Sequence, residues 1–255
     1  MNHQDFPILE FDPTKPAVIE PSTVYASRDI AAHCVICFLE DIVRKVALDT
    51  GARVVFEDEG CYGTNPFYQF EYNGRPIVFF QPFVGAPMAA GFLEIAIALG
   101  CRKFVACGGA GVLDREIQVG SFVVPDSAVR DEGISYHYLA PGRTIAVGQR
   151  AKEAVISTLE SHNQSHLVGR VWTTDAIFRE TPAKVALRKS EGCVAVDMEA
   201  AALLAVAEFR DVELGYLLFG GDDVSGQEWD RRDEVSRIPV KERLFWLSVE
   251  SCLKL

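Results

Sequence analysis

Four short runs in this 255-residue chain set groups able to do chemistry directly after stretches that read as buried strands. Asp197-Met198-Glu199 follows the apolar run 193–196 and precedes an alanine- and leucine-rich stretch. Burying two carboxylates there costs roughly several kcal/mol unless a polar partner satisfies them. A ribose diol is such a partner, because one carboxylate accepts from both hydroxyls. Acids facing the dipole of a first helical turn are the plainer reading, and they explain one acid better than two around a methionine. In Gly220-Gly221-Asp222-Asp223 an acid between a strand end and further glycines is placed for proton transfer, although an acidic turn reads the same way. In the run 173–180, polar residues lead to Ile177, Phe178, Arg179 and Glu180. That order suits a pocket for a flat ring, and equally a helix cap with core residues behind it. Gly108-Gly109-Ala110-Gly111 lets backbone N–H groups approach an anion or a base edge, and a tight turn accounts for it as well. It is not a dinucleotide fingerprint, since Asp114 stands where a third glycine belongs, and no Gly-Lys-Ser/Thr follows.

These runs form one site only if the elements before them share an edge. Strands are expected at 33–38, 52–57, 67–72, 76–80, 103–107, 121–124, 166–172, 193–196 and 212–219, with Asn73-Gly74 turning a hairpin and Pro125 ending the sixth. Helices are expected at 40–49, 86–99 (closed by Gly100), 149–161, 182–189, 198–209 and 236–253. A single helix over 28–49 competes with the first strand and helix, because the apolar spacing fits both periods. The alternation predicts one α/β domain over 1–255: a mixed, mostly parallel central sheet flanked by helices, preceded by a proline-rich arm over 1–29. In such sheets ligands bind beyond the carboxyl ends of the strands, where all four runs fall.

The totals narrow the partners. A net charge of −11 gives no bulk field for phosphate backbones, so a nucleic-acid polymer is not expected. Apolar stretches are too short or too interrupted by acids for a membrane span, and the first residues lack the order of a signal peptide, so a cytoplasmic location is expected. Cys34 and Cys37 form a C-x-x-C, but on a strand they face opposite sides. With no second pair, seven scattered cysteines read as reduced thiols, and no metal is expected.

In this order the four runs resemble the nucleoside phosphorylase family, which includes uridine phosphorylase, hexameric purine nucleoside phosphorylase and the methylthioadenosine nucleosidases. The similarity spans about 34–253, and Val196-Asp197-Met198-Glu199-Ala200-Ala201-Ala202 is its most specific part. The resemblance implies cleavage of an N-glycosidic bond by a phosphorylase, with phosphate as the expected nucleophile and co-substrate and a water-using nucleosidase as the alternative, no other cofactor, and a homo-oligomer. It implies that Glu199 holds the ribose hydroxyls, Met198 packs on the sugar, Asp197 frames the pocket, and Ile177, Phe178 and Arg179 border the base. Gly108, Gly109, Ala110 and Gly111 would line the base and phosphate side. Asp222, with Asp223 as the alternative, would protonate a purine ring nitrogen.

The chain departs from that family pattern at the phosphate end. The Gly-Asp-Pro-x-Arg-like loop reads Phe38-Leu39-Glu40-Asp41, and Ala106 holds the place of a strand arginine. Thr181 stands near the pyrimidine-reading region, and Pro7 near an N-terminal histidine for which His3 is a substitute. A phosphorylase therefore needs Arg28, Arg44, Arg102, Arg130 or a neighbouring subunit's arginine beside Gly109. Retention of Glu199 and Asp222 argues against a non-catalytic binding protein, the third reading.

Overall fold

The computed structural model describes residues 3–232 and 238–255. The elements are α1 (Pro21–Val24), β1 (His33–Cys37), α2 (Glu40–Thr50), β2 (Arg53–Gly60), β3 (Gly63–Tyr72), β4 (Arg75–Phe80), α3 (Ala86–Leu99), β5 (Lys103–Val112), β6 (Phe122–Asp131), α4 (Ser135–Tyr138), β7 (Thr144–Ala146), α5 (Gln149–Ser161), β8 (His166–Thr174), α6 (Pro182–Ser190), β9 (Cys193–Asp197), α7 (Ala200–Arg210), β10 (Glu213–Asp223) and α8 (Ile238–Leu253). The expected start of the last helix at 236 lies outside the described residues.

The strand reading of 33–38 holds, and the reason is burial on both faces. Cys34 and Ile36 enter one core cluster while Val35 and Cys37 enter the other, so the two cysteines of the C-x-x-C face opposite sides. All seven cysteines are free. The hairpin turn is as expected, with Asn73 and Gly74 both at positive φ.

The sheet is mixed. β5 lies parallel to β1 and β10, and β8 lies parallel to β6 and β9, whereas β5–β9 and β6–β10 are antiparallel. Strands β10, β6, β8, β9 and β5 close on themselves through the β10–β5 ladder, and β1, β4, β3 and β2 extend from β5 as a wing. Apolar α3 and α7 fill one side, and α2, α5 and α8 cover the other. A helix that is apolar all round has to be buried; all eight residues from Ala200 to Ala207 in α7 are alanine, leucine or valine, and all eight are buried.

Several boundaries differ from expectation: β2 and β3 are longer, and β10 runs on to Asp223, so the 220–223 run lies inside it and not beyond its end. β5 does not end at Cys107 but carries the glycine run inside it, because β10 pairs with it to Ala110 and, past a register shift, again at Val112, while β9 takes up Gly111 and Val112 from another side. β6 continues through Pro125, since a bulge between Pro125 and Ser127 absorbs the missing N–H donor. Helix α7 starts at Ala200 rather than Met198, because the Asp197 carboxylate accepts the Ala200 N–H and fixes the first turn there.

Candidate active site

A cavity of about 650 Å³ opens at the carboxyl ends of β5, β9 and β10. Its floor includes Gly109, Ala110, Gly111, Val196 and Phe219. The glycines serve clearance. A Cβ on Gly109 would sit 3.1 Å from the Phe219 ring, and one on Gly111 3.0 Å from Val196. None of 108–111 has positive φ, so their N–H groups alternate along a strand and do not converge as an anion-binding nest. Gly108, expected in the site, is absent from the cavity wall; a Cβ on it would sit 3.1 Å from the Phe38 side chain.

At one end stand Asp197, Met198 and Glu199, all in the wall. Asp197 is committed to the framework. It accepts the Thr173 hydroxyl at 2.7 Å, the Ala200 N–H at 2.7 Å and the Tyr216 hydroxyl at 3.1 Å. Burial still pushes it up to about 6. Glu199, 7% exposed, accepts the Gly85 N–H at 2.6 Å. Burial, then the adjoining Asp197 charge, push it up to about 8, against backbone N–H groups of Gly85 and Met198. No side-chain donor among the described residues reaches Glu199, which leaves its capacity to accept for a ligand. Gly85 reaches it from a loop in which Phe83 and Gly85 have φ of 63° and 103°. The first of these is costly for a residue with a side chain.

At the other end, alternation along β10 decides between the two aspartates. Asp222 lines the cavity and accepts the Trp229 indole N–H at 2.6 Å. Asp223 turns inward, 2% exposed, where it accepts the Ser225 N–H and lies 3.4 Å from Arg232. Ile177 and Phe178 form the rim, and Phe178 is 96% exposed. Arg179 does not join them: it is exposed at the end of the same one-turn 3₁₀ segment, outside the cavity wall. Thr181 caps α6 by accepting the Lys184 N–H, and His3 is exposed outside the wall.

None of the four candidate arginines reaches Gly109. Arg28 stacks over Phe56, Arg44 pairs with Glu40, and Arg102 caps the end of α3 through the Ile97 carbonyl. Arg130 is buried and donates to Ser135, Leu139 and Ala140. The cavity wall holds five carboxylates, those of Glu180, Asp197, Glu199, Asp222 and Glu228, and among the described residues no Lys, Arg or His.

The sequence reading named Glu180 without giving it a role, and passed over Trp229, Tyr216 and Gly85. Glu180 was visible as an acid just past an apolar pair, and Tyr216 as a polar tip in an apolar strand. Gly85 and Trp229 carried no local signal, because their roles depend on loops returning to the cavity.

The sequence model of the phosphorylase superfamily matches residues 32–242. A guanosine phosphorylase from Halorubrum lacusprofundi is 26% identical over 173 residues, 68% of this chain and 71% of that protein. Among solved structures, a uridine phosphorylase from Vibrio fischeri superposes with a TM-score of 0.75 at 19% identity, covering 89% of this chain and 94% of its own. An AMP nucleosidase from Bacteroides thetaiotaomicron gives 0.70 at 20% identity, covering 88% and 87%. At these identities the two structures speak for the fold, and the superfamily match over most of the chain speaks for descent: the chain belongs to the phosphorylase superfamily.

Proposed function

We propose that this chain cleaves the N-glycosidic bond of a nucleoside, with water as the nucleophile. The observation that carries the choice of water is the wall of five carboxylates without a basic side chain among the described residues. Two unit charges ~6 Å apart at an effective dielectric near 20 interact by about 3 kcal/mol. Glu199, pushed up to about 8, and Glu180, pushed up to about 7, are only partly ionised near neutral pH, but each wall carboxylate that does ionise repels a phosphate dianion, and no cation among the described residues of the wall offsets that. The same charges favour the oxocarbenium-like sugar that forms as the bond to C1′ breaks.

In this reading Glu199 accepts hydrogen bonds from the ribose hydroxyls and Met198 packs on the sugar. Asp197 holds Glu199's strand end and helix start in register. Asp222 faces the base and, in its acid form, gives a proton to the ring nitrogen of a neutral purine. Water adds to C1′, its proton passes to a cavity carboxylate, and the electron pair of the broken bond leaves with the base.

Phosphorolysis is the second reading, favoured by the name of the Halorubrum relative. It requires a cation that the described cavity wall does not hold, such as one from a neighbouring subunit, because Arg28, Arg44, Arg102 and Arg130 are engaged elsewhere. Assay of base release from a nucleoside panel, with and without phosphate, separates the two. Release at an unchanged rate in phosphate-free buffer is expected; release that requires phosphate and yields a sugar 1-phosphate overturns the choice of water.

A further inference from the structure

We propose that the base end of this cavity is built for a nucleoside whose base carries a fixed positive charge, such as an N-ribosylpyridinium, with Glu180 and Asp222 as counter-charges and Phe178 and Trp229 as aromatic faces. The proposal rests on the nucleoside reading above and narrows its substrate.

Three observations converge. Glu180 lines the cavity near enough to Asp222 to feel its charge, and burial and that charge together push it up to about 7. Among the described residues no donor reaches the Glu180 carboxylate. Two like charges held together at a cavity wall without a cation leave a place for one. The second observation is the aromatic mouth. Phe178 is 96% exposed and Trp229 64% exposed, and the Trp229 indole N–H is bonded to Asp222, which ties that ring to the acid pair. A flat cation between such rings gains both cation–π and counter-charge contacts. The third is the inventory of charge facing Glu180. Asp222 comes from β10 and Glu228 from the segment after it, and among the described residues no basic side chain lines the cavity.

The chemistry balances without an acid. When the C1′–N bond of a ribosylpyridinium breaks, its electron pair returns to the ring nitrogen and the base leaves as a neutral pyridine. Water adds to C1′ and gives its proton to a carboxylate. No proton is needed from Asp222, which serves as a counter-charge to the bound base.

Binding of a cation favours ionised Glu180, so its affinity rises with pH through the range near 7 where Glu180 ionises. The test uses nicotinamide riboside and its 1,4-dihydro form, which differ in charge and little in shape, with binding measured by calorimetry at pH 6 and pH 8. For the wild-type protein the cation is expected to bind at least 10-fold more tightly than the dihydro form at pH 8, with a several-fold smaller preference at pH 6. Glu180→Gln is expected to lower the preference at pH 8 by 5-fold or more and to flatten its pH dependence, and Glu180→Asp to restore part of both. Equal affinity for the two forms, or a preference unchanged in Glu180→Gln, overturns the proposal. Release of base from neutral purine nucleosides without any preference for the cation defeats this inference alone, whereas no release from any nucleoside defeats the proposed function itself.

Discussion

Replacing Glu199 with Gln separates stability from catalysis, because the same burial serves both. In the unfolded chain this carboxyl titrates near 4.5, and in the folded protein it is pushed up to about 8. A folded-state value above the unfolded one means stability is fully present below 4.5 and declines as pH rises through 8. At about 1.4 kcal/mol per unit, that displacement corresponds to roughly 5 kcal/mol lost by the empty protein between acid and alkaline conditions. Asp197, pushed from 3.8 up to about 6, adds in the same direction at lower pH. Glutamine keeps an oxygen for the Gly85 N–H and carries no charge to bury. Glu199→Gln is therefore expected to be more stable than wild type at pH 9 by ~3–5 kcal/mol, with little difference at pH 4.5. For a chain of this size ~1 kcal/mol shifts Tm by about 2–4 °C, so thermal unfolding at the two pH values resolves the effect. The same variant is expected to lose turnover by ~10- to 100-fold, the scale of a charge-assisted hydrogen bond. A stability difference from wild type that stays constant between pH 4.5 and 9 would refute the burial argument. Full turnover in the folded variant would refute the role at the sugar.

Asp222→Asn is expected to slow release from neutral purine nucleosides by ~10²- to 10⁴-fold, read from initial rates against a pyridinium nucleoside that needs no proton; equal effects on both would overturn its role as an acid. Asp223→Asn is expected to lower stability instead, by ~1–3 kcal/mol in chemical denaturation, because its partners are the Ser225 N–H and Arg232 rather than the cavity; a specific catalytic defect without loss of stability would reverse the two assignments. A homo-oligomer is expected because Phe6, Val18 and Ile19 of the arm are more than two-thirds exposed, and light scattering that shows a fully active monomer would count against it.

The α/β pattern and most of the elements were legible because strands and helices here follow their hydrophobic periods, as in α5, where both expected boundaries coincide with the structure. The acids Glu199 and Asp222 were legible because each stands at the carboxyl end of a recognisable apolar strand, Glu199 just past β9 and Asp222 within the last residues of β10. What escaped reading depends on neighbours distant in sequence. The glycine run looked like a loop, yet it is strand, since β9, β10 and the side chains of Phe38, Phe219 and Val196 need the space that glycine leaves. Pro125 looked like a strand end, yet a bulge carries β6 past it. The closure of five strands through the β10–β5 ladder joins elements 110 residues apart and leaves no local trace. Arg179 was placed in the pocket by its nearness in sequence to Phe178, but it is exposed at the end of the 3₁₀ turn and does not line the cavity.

Asp197 ties β8, β10 and α7 together through Thr173, Tyr216 and the Ala200 N–H, and that knot divides the entropy of binding unevenly. On the proposed reading, the end that takes the sugar is already ordered before a ligand arrives, so little freedom remains to be lost there. The rim is different: Ile177, Phe178 and Trp229 stand largely in solvent and must surrender rotamer freedom to close over a base. Each such side chain costs about 0.5–1.5 kcal/mol to immobilise. Free ribose and intact nucleoside will then differ less in affinity than their sizes imply, and changes that stiffen the rim in its closed form will tighten the nucleoside while leaving the sugar untouched.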